Sequence, residues 1–167
     1  MFKVNDLIMY GGTGVCKVTA ITTNEFDGQD KLYYILEPVY QAGIIYAPVD
    51  NKKVFMRPVM SESEANDVID RMPGVSSEVF KSSSTQQLSK HYQSVIDRHN
   101  TDDLIMLTKS IRRKMNDAIS QNRHLGQIDK RFMKRAEDLL FGELAAALCI
   151  PREDVVGYIE NRLGTHH

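Results

Sequence analysis

The chain has 167 residues, of which 42% are hydrophobic and 26% charged, a composition typical of a soluble protein with a folded core. Its formal net charge is -1, and no apolar run approaches the roughly 18 residues that a membrane-spanning helix needs. The first residues also lack the basic start, apolar run and cleavage site of a secretory signal. These features predict a cytoplasmic protein and exclude a membrane partner.

The first 58 residues consist of short apolar and β-branched runs separated by turns. The runs are DLIMY, GVCKVTAITTNEF, KLYYILEPV, GIIYAPVD and KKVFMRPV. Asp27-Gly28 favours a turn between the second and third runs, because this pair accepts positive φ. Five strands at this spacing predict a small antiparallel β-barrel or a strongly bent sheet over residues 1–58.

The glycines of the stretch MYGGTGVCKV raise the question of a phosphate-binding loop. A Walker-type loop needs Lys and Ser or Thr after its last glycine, whereas Val15 and Cys16 follow Gly14. A dinucleotide-binding motif needs a helix there, whereas a β-rich run follows. The glycines therefore predict a tight connection between strands that requires positive φ.

A helical pattern replaces the strands at a boundary between Arg57 and Ser61. Ser61 with Glu64, and Ser84 with Gln87, have the spacing of a capping box. The predicted fold class is therefore α+β, with an all-helical domain over residues 59–167. The predicted helices follow Ser61 and Ser84, run from Thr101 to about Ser120 and from Gln127 to Leu148, and begin at Pro151.

Positive charge is concentrated in the middle of the chain. Residues 90–135 hold eleven Lys and Arg against five Asp and Glu, for a net charge of +6. On one helix these cations form a solvated outer face; on three consecutive helices they favour nucleic-acid binding through phosphates. Both interpretations remain open for the cations on these helices, which are Lys90, Lys109, Arg112, Arg113, Lys130, Arg131, Lys134 and Arg135.

No arrangement of nucleophile, base or paired carboxylates indicates catalysis, so the sequence predicts a protein that is not an enzyme. The His and Cys residues lie at no metal-ligand spacing, and no cofactor or metal is expected. Cys16 and Cys149 are far apart and are expected to be reduced, buried packing residues.

Four stretches resemble the CarD family of bacterial transcription regulators. They are MFKVNDLIMYGGTGVCKVTAI, YYILEPV, IIYAPVDNKKVFMRPV and KRFMKRAEDLLFGELAAAL, and the resemblance extends from Phe2 to about Leu148. It implies a Tudor-like RNA polymerase-interaction domain, residues 1–58, followed by a helical DNA-binding domain. Transcription-repair coupling factors carry the same barrel beside a helicase motor, and for 167 residues the stand-alone regulator is the expected match.

The resemblance implies that the first domain binds the β subunit of RNA polymerase. An exposed edge strand can extend a partner's sheet, and the run from Ile44 to Pro48 is the candidate. Tyr46 is either a contact or a barrel-core residue. Some relatives have arginines where this chain has Asn24 and Tyr46, so the contact uses less charge here. The candidate polymerase-binding residues are Asn24, Ile44, Ile45, Tyr46 and Pro48.

The resemblance also implies contact with promoter DNA at the upstream edge of the melted region. Many relatives insert a tryptophan there, but this chain has none, and Leu88 occupies the matching position. Leu88 is either an apolar wedge or a core residue that shares a helix face with Tyr92, Val95 and Ile96. The candidate DNA-binding residues are Leu88, Lys90, His91, Arg112, Arg113, Lys130, Arg131 and Lys134.

The expected function is therefore a monomeric transcription regulator that changes open-complex stability, as activator or repressor. The alternative is a protein-interaction module whose helical domain never binds nucleic acid. Weak, salt-dependent and mostly phosphate-directed DNA binding distinguishes the first from the second.

Overall fold

A computed structural model describes residues 1–24 and 31–164, with Asn24 described by its backbone alone. The Asp27-Gly28 turn, His166 and His167 lie outside the described residues. The chain divides into two compact units, Met1–Met60 and Ser61–His167. The predicted α+β class is confirmed: a five-stranded antiparallel sheet is followed by five α-helices in the described chain.

The first unit is built from β1 (Leu7–Tyr10), β2 (Gly14–Asn24), β3 (Lys31–Pro38), β4 (Ile45–Pro48) and β5 (Met56–Pro58). The strands lie in the order β4-β3-β2-β1-β5. A register shift between Val18 and Ala20 interrupts the β2–β3 ladder, and such bulges bend a strand. Within the described residues the ladder is open, because β4 and β5 form its two edges.

The glycine stretch is the tight connection that the sequence predicts. Tyr10 and Gly14 pair across the β1–β2 turn, and Gly11 and Gly14 have φ of 43° and 97°. The Gly11 amide donates to the Phe55 carbonyl at 2.7 Å, so the backbone of the turn approaches the segment before β5. Glycine satisfies both the positive φ and the close approach.

One face of the sheet carries a core that consists of Ile8, Cys16, Val18, Tyr34, Leu36 and Ala47. Burial raises the pKa of the Cys16 thiol to about 11, so this cysteine stays protonated at neutral pH and packs as a small apolar group.

The helical unit consists of α1 (Glu62–Arg71), α2 (Thr85–Asp97), α3 (Thr101–Ser120), α4 (Gln127–Leu148) and α5 (Val155–Leu163). Ser61 and Glu64 form the predicted capping box, and Ser84 and Asn100 cap α2 and α3. Pro151 precedes a 3₁₀ turn, Arg152–Asp154, so α5 begins four residues after Pro151, later than predicted. No helix among the described residues is both long and apolar enough to cross a membrane.

Helices α2, α3 and α4 share one core. Its buried members are Leu88, Tyr92, Val95, Ile96, Leu107, Ile111, Leu125, Phe132, Ala136 and Leu139.

A second face of α3 holds the segment between α1 and α2. The Lys109 ammonium donates to the carbonyls of Met72 and Val75, and the Ser110 hydroxyl donates to the carbonyl of Glu78. The prediction that Lys109 belongs to a solvated basic face is wrong, because these carbonyls hold the side chain against the protein.

The prediction that Cys149 is buried is also wrong. Cys149 is exposed and follows the last residue of α4 in the left-handed conformation, with φ of 56°. Beyond it, α5 packs on α1 through a hydrogen bond from Tyr158 to Asn66 and a bidentate ion pair of Arg162 with Asp70. The segment after Cys149 is therefore an integral part of the helical unit.

Candidate functional site

Strand β4 is an edge strand whose two faces differ. Ile45 packs against the sheet core and Ala47 is buried in it. Tyr46 is 57% exposed, and Ile44, just before the strand, is 59% exposed. The alternation places the Tyr46 side chain on the surface, so the core interpretation of Tyr46 is wrong, while the side chain of the candidate Ile45 packs inward.

The backbone of β4 also presents unpaired groups. Tyr46 pairs with Ile35 and Ala47 with Tyr34, while the Val49 amide donates to the Leu32 carbonyl at 3.0 Å. Because hydrogen-bonding direction alternates along an antiparallel strand, the amides of residues 45, 47 and 49 face β3 and that of Tyr46 faces outward.

This open edge ends at Pro48. Proline has no N–H to donate, and its carbonyl accepts from the Asn51 amide at 3.0 Å. The backbone of Ile44 and Tyr46 is thus the segment where another strand has room to pair. The Asn24 backbone pairs with Lys31 at the far end of the β2–β3 ladder, and its side chain lies outside the described residues.

The sequence reasoning missed two further exposed apolar side chains in the sheet unit. Val39 and Tyr40, just after β3, are each 45% exposed. The Val39 amide donates to the Val15 carbonyl of β2 at 3.0 Å, so Val39 continues the β2 side of β3 and does not line the β4 edge. Only their aliphatic or aromatic character, in a loop, hinted at their exposure in the sequence.

A buried polar cluster joins the three central helices. The Lys114 ammonium donates to the Asp129 carboxylate at 2.8 Å and to the Phe80 carbonyl at 3.2 Å. The Tyr92 hydroxyl donates to the same Asp129 oxygen at 2.5 Å. Burial and this hydrogen bond raise the pKa of Tyr92 far above its ordinary value. Lys114 is therefore a structural cation, neutralised inside the domain.

Several predicted DNA-binding cations have carboxylate partners. Arg112 pairs with Glu137 at 3.0 Å, and Lys134 pairs with Asp138 at 2.8 Å. In both pairs the cationic side chain is more than half exposed. A phosphate can therefore replace the carboxylate at a small cost in free energy. Lys90, Arg113 and Lys130 are exposed and have no carboxylate partner within the described chain.

A row of polar contacts connects α2 with α4, and we name it the α2–α4 seam: Ser89, Gln93, Arg131 and Arg135. Arg131 donates to the Ser89 hydroxyl at 3.3 Å, and Arg135 donates to the Gln93 side-chain carbonyl at 2.7 Å. Both guanidinium groups lie over the buried Phe132 ring, 4.9 and 5.6 Å from its centre. The seam brings predicted Arg131 beside Arg135, which the predicted set of DNA-binding residues omitted.

Two other predicted DNA-binding residues lie closer to the core. Leu88 is only 7% exposed and packs in the shared helical core. The wedge interpretation of Leu88 is therefore wrong for this structure, because its side chain fills the core with Tyr92 and Val95. His91 stacks on Phe80 with ring centres 3.8 Å apart. Desolvation, with a smaller contribution from Arg98, lowers the pKa of His91.

One comparison with known proteins bears on these surfaces. A family model matches one segment of this chain. That segment coincides with the first compact unit, Met1–Met60, which carries the open β4 edge. The matched family consists of RNA polymerase-interacting domains, which bind protein and have no catalytic role. Residues 2–60 of this chain match the family model for the CarD-like/TRCF RID domain.

Proposed function

We propose that this protein is a transcription regulator that binds the β subunit of RNA polymerase through the edge of β4. The observation that carries the proposal is the open Ile44–Tyr46 edge within a matched RNA polymerase-interacting domain. Strand addition at this edge supplies backbone hydrogen bonds, and the exposed Ile44 and Tyr46 side chains supply selectivity. In this proposal the whole chain acts by binding and is not an enzyme.

The second half of the proposal is that the helical unit contacts promoter DNA near the upstream edge of the melted region. Lys90, Lys130 and Arg131 are exposed on α2 and α4. Lys130 and Arg131 lie in the first turns of α4, where their charge opposes the helix dipole. Cations placed there without a carboxylate partner favour a phosphate partner over a stabilising role. Contact at this position would change the stability of the open complex.

One observation favours a second candidate function, a protein-interaction module with no affinity for DNA. Arg112, Lys114 and Lys134 are each neutralised by a carboxylate of α4. The basic helices therefore present less free positive charge than residues 90–135 suggest from the sequence. A helical unit of this kind can bind another protein through a mixed-charge surface.

Binding of the full-length protein to RNA polymerase, to fork-junction DNA and to both together separates these functions. The proposal predicts binding to the polymerase alone and to isolated β subunit, weak salt-sensitive binding to DNA alone, and a longer-lived or shorter-lived open complex. Polymerase binding with no DNA shift at about 50 mM salt supports the interaction module. Absence of polymerase binding contradicts both.

A further inference from the structure

Arg131 and Arg135 differ from most arginines of the helical unit in the kind of group to which they donate hydrogen bonds. Five other arginines there pair with a carboxylate: Arg71, Arg98, Arg112, Arg152 and Arg162. Arg131 and Arg135 bind neutral oxygens instead, and within the described residues neither has a carboxylate partner. Their positive charges are fixed in place without being neutralised.

The neutral partners are themselves held. The Gln93 amide donates to the Asp97 carboxylate at 2.8 Å, which turns its carbonyl oxygen toward Arg135. The contacts of Ser89 with Arg131 and of Gln93 with Arg135 repeat at a spacing of one helical turn on both helices. The Phe132 ring, 2% exposed, supports both guanidinium groups from below.

This arrangement leaves donors available. A guanidinium has five N–H groups in a rigid fork, and one hydrogen bond is recorded for each of these two arginines. Because the arginine side chains are already ordered, they lose less conformational entropy when an anion binds. Guanidinium groups of this kind bind phosphate oxygens in bidentate fashion.

We infer that the α2–α4 seam is a preorganised phosphate clamp, in which Arg131 and Arg135 contact two phosphates of a DNA strand and Ser89 and Gln93 are positioning residues. The inference rests on the DNA-binding half of the proposed function and adds the residues that perform it. DNA is favoured over an acidic protein because Lys90 and Lys130, the chain neighbours of Ser89 and Arg131, are exposed and add further unneutralised charge for a continuous polyanion.

The experiment is a salt titration of full-length protein on duplex and fork-junction DNA between about 50 and 200 mM salt. Arg135→Gln removes one phosphate contact and should reduce the slope of log K against log salt by about 0.9. Arg131→Gln, at an exposed position, should do the same. Arg152→Gln is the matched control, because Arg152 lies 5.0 Å from the Phe141 ring but pairs with Asp138. It should leave the slope unchanged.

The positioning role of Gln93 is tested by a separate measurement. Gln93→Met keeps every charge, so the slope should stay at the wild-type value while the affinity falls about two- to fivefold. The clamp is overturned if the wild-type protein binds DNA and the slope is the same in Arg131→Gln, Arg135→Gln and Arg152→Gln. The proposed function would then still stand. Absence of DNA binding by the wild-type protein overturns both. Unfolding curves of each variant confirm that the fold is retained before slopes are compared.

Discussion

Tyr92 of α2 and Asp129 of α4 share a 2.5 Å hydrogen bond inside the helical unit, and Lys114 of α3 completes their cluster. Tyr92 is 1% exposed and Asp129 6%. Each of the three central helices thus contributes one polar group to a largely buried site. The cluster fixes how α2 and α4 pack against each other, and so it fixes the geometry of the α2–α4 seam.

Removing Lys114 should destabilise the helical unit strongly. Lys114→Met leaves the Asp129 carboxylate without its cation in a buried site, and the free energy of unfolding should fall by about 3 kcal/mol. Urea unfolding followed by far-UV circular dichroism measures this. Lys130→Met, an exposed change beside Asp129, should have an effect below about 0.5 kcal/mol. Equal effects of the two changes would show that the buried pair adds nothing.

His91 should make stability depend on pH. Its pKa is lowered in the fold, chiefly by desolvation and further by Arg98, so the unfolded chain takes up the proton at higher pH. The free energy of unfolding should therefore be highest at pH values above 6.5, the ordinary pKa of histidine. It should fall as the pH decreases below that value. His91→Phe keeps the ring beside Phe80 and should reduce this loss, as urea midpoints at several pH values will measure. His124→Gln, at an exposed site, is the control, and a loss identical in His91→Phe and wild type would contradict the prediction.

Any side chain at position 11 should destabilise the sheet unit. The φ of Gly11 is 43°, and a Cβ there would lie 2.9 Å from the Val54 side chain. Gly11→Ala should lower the free energy of unfolding of the sheet unit by about 1–2 kcal/mol. Near-UV circular dichroism reports on this unit, because five of the seven tyrosines lie in it. The control is Gly157→Ala in α5, which has open space around it and should be neutral or stabilising. No loss in Gly11→Ala would contradict the account of the turn.

Tyr46→Pro should weaken polymerase binding while preserving the sheet. The Tyr46 amide faces away from β3, so its loss removes no ladder hydrogen bond, and edge strands accept proline at such positions. Binding of full-length protein to RNA polymerase should fall at least about tenfold. Tyr46→Thr keeps the amide and removes the aromatic ring, and it should bind more tightly than Tyr46→Pro. Equal binding of the two variants would assign the contact to the side chain alone and contradict strand addition.

The local elements were largely predictable from the sequence. The bounds of α3 and α4, the capping box at Ser61 and the glycine turn follow from short-range patterns, because caps, periodicity and positive φ involve residues a few positions apart. The outward Tyr46 was one of two alternatives, since alternation alone does not say which face of a strand meets a core.

The long-range partners were not predictable in the same way. From the sequence, Lys109 is interpreted as part of a basic surface, and Lys114 is only counted among the cations of residues 90–135, yet they bind carbonyls and a carboxylate from distant segments. Only the packing of α3 against those segments brings the groups together. Helical periodicity shows one apolar face of α3, but the face that holds the segment between α1 and α2 uses Lys109 and Ser110 and carries little apolar signal.

Amide hydrogen exchange at Tyr46, in full-length protein with and without saturating RNA polymerase, tests the central claim most directly. Strand addition predicts that the outward Tyr46 amide exchanges quickly in the free protein and is strongly protected in the complex. The amides of residues 45 and 47, which face β3, should be protected in both states. An unchanged Tyr46 exchange rate in the saturated complex would contradict the claim that β4 extends a sheet of the polymerase.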